Sequence, residues 1–264
     1  MHALIRKLFY YWRVLATGIA FTTFGIGGIT LPVFALVFFR FIPGSKQQQQ
    51  SRARLLVHYT FKAFIYFMRF LGILRWKIDG LEKLQRSGLL ILANHPTLLD
   101  VVFLVAFIPN ATCIVKSHLL RNPAMRGFVT LTGYITNDKG EKLIQSARES
   151  FHQSSSLIIF PEGTRTQANN PRPFQRGAAN IAIRTRTNIT PVRIYCNPPT
   201  LSKEKNWYQV PEKTFLMSFY AADDISISPF LEDNSSLAAR KLTRHLENYF
   251  KEEEYPDGCG STTT

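Results

Sequence analysis

Residues 14–39 contain no charged side chain, and Arg13 and Arg40 bracket them. As a helix this run would rise about 39 Å at 1.5 Å per residue, more than the roughly 30 Å hydrocarbon core of a bilayer. No other feature restricts the chain so strongly: the run either fills a protein core or meets lipid, and its length favours lipid. It is also longer than the apolar core of a signal peptide, and no small-x-small cleavage site closes it. Gly25, Gly27, Gly28 and Pro32 sit within it, and each weakens or kinks a helix. Two geometries follow: one kinked span, or a hairpin that enters and leaves the same leaflet. Arg6, Lys7 and Arg13 precede the run and Arg40, Lys46, Arg52 and Arg54 follow it, so the positive-inside rule assigns no orientation.

The remainder of the 264 residues suffices for one catalytic domain. Four consecutive glutamines within residues 44–51 read as a linker. Residues 55–74 are apolar but broken by His58, Lys62 and Arg69, as in an amphipathic helix at a membrane interface, a helix packed on the body or a short second membrane helix. The expected division is 1–51 as membrane anchor and linker, 52–75 as the amphipathic helix, 76–254 as the catalytic domain and 255–264 as a flexible tail.

The formal net charge of +14 calls for an acidic partner. No zinc-finger, basic-zipper or RNA-binding aromatic signature accompanies it, so an anionic membrane face or anionic substrate is expected rather than nucleic acid. Cys113, Cys196 and Cys259 are odd in number, far apart and without a CxxC pair, which suggests neither a disulfide framework nor a structural zinc site.

Beyond residue 76, short apolar runs at 89–93, 112–115, 134–136, 157–160, 192–195 and 215–220 have strand character. Helical patterns occupy 98–107, 123–131, 141–152, 178–186 and 237–250. The alternation predicts an α/β fold: a mostly parallel or mixed central sheet flanked by helices, behind an N-terminal membrane-embedded helical segment.

Two of these strands run into polar motifs. Asn94-His95-Pro96-Thr97-Leu98-Leu99-Asp100 follows the first. Ligands of open α/β sheets bind at such strand ends. Pro96 suits the first position of a helix, which would put His95 near its N-cap and bring Asp100 back toward the imidazole after one turn. A neutral imidazole can take a proton from a hydroxyl attacking a thioester, and a carboxylate on its other nitrogen fixes the tautomer. The same pair also reads as a capping Asp beside a structural His.

Phe160-Pro161-Glu162-Gly163-Thr164-Arg165 follows the strand at 157–160. Gly163 allows a tight turn with exposed NH groups around Thr164, and Arg165 can hold a phosphate in bidentate fashion. From residue 163 to 202 no acid occurs, while Arg165, Arg172, Arg176, Arg184, Arg186 and Arg193 do. Arg165 and Arg176 are the candidates for an anion site. Glu162, inside this basic run, is expected to find a buried partner that shapes the loop.

Together the two motifs resemble the glycerolipid (lysophospholipid) acyltransferase family, and in particular its 1-acylglycerol-3-phosphate acyltransferases. The likeness covers about residues 88–195. It implies His95 as base, Asp100 as its partner, and acceptor binding by Asn94, Glu162, Gly163, Thr164 and Arg165. A third motif matches at Gly133 and runs to Lys139, with Thr136 where the family has Phe and Lys139 where it has Arg. A fourth, an apolar strand with a Pro, is matched loosely at 189–194. The N-terminal wording also looks like members associated with aryl polyene lipid assembly.

The resemblance implies transfer of a fatty acyl group from acyl-CoA or an acyl carrier protein to a hydroxyl of a lysophospholipid or related lipid acceptor. It implies no metal and no cofactor beyond the donor, and a place at the cell inner membrane with the catalytic domain on the cytoplasmic side. The same base could instead activate water, as in a thioesterase, although no Gly-x-Ser-x-Gly elbow is present. A non-catalytic membrane scaffold would leave both motifs without a purpose.

Overall fold

The structure, a computed structural model, describes residues 2–121, 123–137, 140–166 and 172–252. Lys139, Cys259 and the expected tail at 255–264 lie outside the described residues.

The apolar run forms one continuous helix, α1 (His2–Arg40), with Pro32 inside it. No hairpin interrupts it. Gly25, Gly27 and Gly28 are accommodated within the helix at a cost of about 1 kcal/mol each. The glutamines are not a linker but the first turns of α2 (Lys46–Phe70). The reason is a capping box: Ser45 Oγ accepts from Gln48 N at 3.3 Å, and Gln48 Oε1 accepts from Ser45 N at 2.9 Å. α2 is tied to the body through the buried Arg54, whose Nε donates to Asn110 Oδ1 at 2.6 Å and Nη1 to Thr132 O at 3.0 Å. Its other face leaves Tyr59, Tyr66 and Phe70 exposed.

The body alternates strands and helices: β1 (Leu74–Asp79), α3 (Leu81–Leu84), β2 (Leu90–Ala93), α4 (Asp100–Phe107), β3 (Ala111–Val115), α5 (Pro123–Thr132), β4 (Ile135–Thr136), α6 (Glu141–His152), β5 (Ser156–Ile159), α7 (Gly177–Thr185), β6 (Ile189–Asn197), β7 (Phe215–Ala221) and α8 (Ser235–Glu252). The strands form one seven-stranded sheet in the order β1-β7-β6-β2-β5-β3-β4. Every pair is parallel except β6 with β7. β1 was not expected from the sequence, since its Arg75, Lys77 and Asp79 mask the alternation.

Central β2 is buried on both faces. Ile91 and Ala93 point into a core shared with α2, α4 and α5, and Leu90 and Leu92 into one shared with α6, α7 and α8. The result is three layers, helices–sheet–helices, with α1 laid against the first. α1 touches the body along one stripe: Arg13, Ala16, Thr17 and Ala20 near its start, and Pro32, Ala35 and Phe39 near its end, are buried. The rest of the helix presents Leu15, Ile19, Ile26, Ile29, Val33 and Val37 to the outside.

Candidate active site

β2 and β5 are adjacent and parallel, with Leu92 opposite Ile159. Their C-terminal ends therefore lie side by side, and the motifs that follow them emerge at one edge of the sheet. That neighbour relation brings residues 94–100 and 160–166 together.

The first loop is built differently from the expected helix start. Residues 94–99 are not helical, and α4 begins only at Asp100. Pro96 is thus not the first helical residue. Asp100 folds back instead: Thr97 N donates to Asp100 Oδ2 at 2.8 Å and Thr97 Oγ1 to Asp100 Oδ1 at 2.6 Å. This carboxylate-closed turn satisfies the donors that a helix would have left open.

His95 Nδ1 lies 2.7 Å from Asp100 Oδ2. The Asp100 side chain is 0% exposed and that of His95 16%. Burial pushes the Asp100 carboxyl up, while the His95 ring and Thr97 pull it down. With the carboxylate as acceptor, Nδ1 carries the proton and Nε2 keeps its lone pair. The imidazole stacks on Phe160, centroids 4.2 Å apart at 26°. Phe160 and Asp100 thus hold the ring from a face and an edge.

Asn94 faces the other way. Its Nδ2 donates to Ile194 O at 2.8 Å and its Oδ1 accepts from Ile194 N at 2.7 Å, which clasps the loop to β6.

In the second loop, Gly163 has φ +66° and its NH donates to Phe160 O at 3.0 Å. That φ favours glycine; a Cβ there would also meet Gln175 Nε2 at 2.7 Å, the end of a flexible side chain that can move aside. Glu162 is 5% exposed; its Oε1 accepts from Thr166 Oγ1 at 2.5 Å, and its Oε2 has no hydrogen-bond partner among the described residues. Burial raises its carboxyl above the ordinary range, opposed by the Thr166 hydroxyl. Arg165 Nη1 donates to Leu201 O at 3.1 Å and Ser202 O at 3.0 Å, so the guanidinium clamps the segment after β6. Arg176 is exposed at the head of α7, next to Gln175, whose NH donates to Pro161 O at 2.8 Å. Lys139 lies outside the described residues.

Sequence reasoning missed two participants. Phe160 was read only as the strand's end. Thr166 was not singled out, yet it joins the two loops: its Oγ1 accepts from His95 N at 3.0 Å and its N donates to His95 O at 2.7 Å. Only its place directly after Arg165 could have drawn attention to it.

Beside the loops an apolar cleft runs between α1, α2 and the segment after β6. Phe21, Phe24, Phe64, Met68, Leu98 and Leu201 line it. Arg13 Nε donates to Pro211 O at 3.0 Å and Trp207 packs on Gly18, so α1 forms one wall.

Residues 75–195 match the Acyltransferase family model. The chain is 28% identical over 180 residues to a 1-acyl-sn-glycerol-3-phosphate acyltransferase of Helicobacter pylori, covering 65% of this chain and 74% of that protein. The protein of the same description in Saccharomyces cerevisiae is 24% identical over 270 residues, covering 99% and 84%. The fold is that of a solved 1-acyl-sn-glycerophosphate acyltransferase from Thermotoga maritima, with TM-score 0.66 and 18% identity over 92% of this chain and 98% of that one. These relatives lend no support to the aryl polyene association. Residues 75–195 thus carry the Acyltransferase family pattern, and the chain is a 1-acylglycerol-3-phosphate acyltransferase-like enzyme.

Proposed function

We propose that this enzyme transfers a fatty acyl group from a thioester, acyl-CoA or an acyl carrier protein, to a hydroxyl of a 1-acylglycerol-3-phosphate-like lipid, with His95 as general base. The observation that carries the reading is the 2.7 Å contact between His95 Nδ1 and the buried Asp100 at the rim of the Arg165 loop. His95 Nε2 takes the hydroxyl proton as the oxygen attacks the thioester carbonyl carbon. Asp100 stabilises the imidazolium that forms. The tetrahedral intermediate collapses by breaking the C–S bond, and the departing sulfur takes the proton back from Nε2. General-base assistance of this kind contributes on the order of 10²–10⁴ in rate.

The acceptor's phosphate is held by Arg165, with Arg176 at the rim and Lys139 as a further cation. Because the Gly163 NH is bound to Phe160 O, the NH groups of Thr164 and Arg165 are the candidate oxyanion donors. Asn94 and Glu162 act by shaping their loops. The acyl chain occupies the apolar cleft beside α1.

The enzyme works at the cytoplasmic face of the inner membrane, held by α1 in the membrane plane. Two contacts support this orientation. Trp12 Nε1 donates to Leu71 O at 3.0 Å, and Phe39 packs with Ala53. They are about 40 Å apart along the helix. A helix with the body packed beside it over that distance cannot cross a hydrocarbon core of roughly 30 Å without drawing polar surface into lipid. The anchor 1–51, the helix 52–75 and the catalytic domain 76–254 then work as one rigid unit. The net charge of +14 suits the anionic cytoplasmic leaflet and an acidic carrier protein.

The test is purified protein with labelled acyl thioester, with and without 1-acylglycerol-3-phosphate. Acyl transfer that disappears in His95→Ala while vesicle binding persists is the expected outcome. Full transfer by His95→Ala would remove the base assignment, and release of free fatty acid regardless of acceptor would make the protein a thioesterase.

A further inference from the structure

We propose that Thr166 is a positioning residue for the transfer reaction, setting the main chain of His95 from the neighbouring loop; the inference rests on His95 being the base. His95 is followed by Pro96, which has no NH, and residues 94–99 precede the first residue of α4. Both main-chain polar groups of His95 are bound by Thr166: the NH by Oγ1 at 3.0 Å and the carbonyl by the Thr166 NH at 2.7 Å.

The hydroxyl has a defined direction. It donates to Glu162 Oε1 at 2.5 Å, so its lone pair is the side that meets the His95 NH. Glu162 is itself buried. The chain His95 N–H to Thr166 to Glu162 therefore runs from the base into the second motif. Asp100 fixes the ring; Thr166 fixes the backbone that carries the ring. A base displaced by a fraction of an ångström loses alignment with the attacking oxygen, and a misplacement of 1 Å can lower a rate by about 10²-fold.

This role separates Thr166 from a residue that binds substrate and from one that only stabilises the fold. Thr166→Val keeps the shape and the main-chain NH but takes the hydroxyl acceptor from the His95 NH, which is then left only the neighbouring Glu162 carboxylate. The expected result is kcat lowered about 10- to 100-fold, with KM for donor and acceptor within about twofold. Thr166→Ser, which restores the hydroxyl, should recover most of the rate. Glu162→Leu should lower kcat similarly and add little to Thr166→Val, since both break one chain. Glu162→Gln, which keeps an oxygen to accept the hydroxyl, should lose less.

Steady-state kinetics of the full chain in detergent, with thermal melts of each variant, decide the matter. If Thr166→Val does not fold, Thr166→Ala is read in its place. An unchanged kcat, a rise in KM alone, or failure of Ser to rescue overturns the inference. His95→Ala is assayed in parallel: if it is inactive while Thr166→Val is unimpaired, the positioning role alone falls, whereas an active His95→Ala defeats the base assignment itself.

Discussion

Asp100 Oδ2 accepts from two donors, His95 Nδ1 at 2.7 Å and Thr97 N at 2.8 Å, while Asp100 Oδ1 accepts from the Thr97 hydroxyl. One buried carboxylate thus closes the loop and orients the imidazole that the loop carries. Loop geometry and ring tautomer cannot be changed separately.

Asp100→Asn tests that coupling. The amide can present NH2 to Nδ1, which reverses the tautomer and leaves the wrong nitrogen protonated. The kcat should fall about 10²–10⁴-fold, with a smaller change in KM. A loss below threefold under saturating substrates would show that the carboxylate does not steer the ring.

Glu162 predicts a pH-dependent stability difference. Its carboxyl is held above the ordinary value of 4.5, chiefly by burial. The folded state therefore binds this proton more tightly than the unfolded state. Stability is fullest below the unfolded value and declines as pH rises through the raised folded value. Glu162→Gln has no charge to bury. Its Tm relative to the parent should be least favourable near pH 4 and improve toward pH 7. Parallel Tm curves across that range would contradict the assignment.

Arg165→Lys keeps the charge and loses the fork. Nη1 now reaches two carbonyls, Leu201 O and Ser202 O, and a lysine cannot clamp them and hold a phosphate together. The KM for a phosphate-bearing acceptor should rise about tenfold or more. An acceptor KM that does not move, measured with the donor saturating, would place the phosphate elsewhere.

Gly163→Ala should be destabilising chiefly through its φ of +66°, with a smaller part from the 2.7 Å approach to the movable end of Gln175. The backbone term alone is about 1–2 kcal/mol, or roughly 2–8 °C in Tm. Adding Gln175→Ala removes the contact but not the strain, so only part of the loss should return. Complete recovery in the double variant would assign the whole effect to crowding.

Spin labels on α1 test its orientation. Residues 19, 26 and 33 lie on the outward side of the helix. In vesicles an in-plane helix puts all three at similar depth, whereas a crossing helix puts the middle one deepest. Oxygen and nickel accessibility distinguishes the two profiles.

The α/β class could be read from the sequence because β2, β5 and β6 are short apolar runs, and the pattern of buried strands between amphipathic helices is local information. The His95, Asp100 and Arg165 positions were legible for the same reason, since their motifs are contiguous. The glutamine run was misread because low complexity outweighed the Ser45–Gln48 cap, and β1 was overlooked because an edge strand with one buried face can carry charges.

By itself the sequence determined which side chains are available for chemistry and that a long apolar helix precedes them. Only the tertiary structure decided that β2 and β5 are neighbours, because strand order depends on how helices cross the sheet rather than on any local run. From that adjacency come the Thr166 link to His95 and the Phe160 stack. Each joins residues 65 or more positions apart, a separation at which periodicity and propensity carry no information.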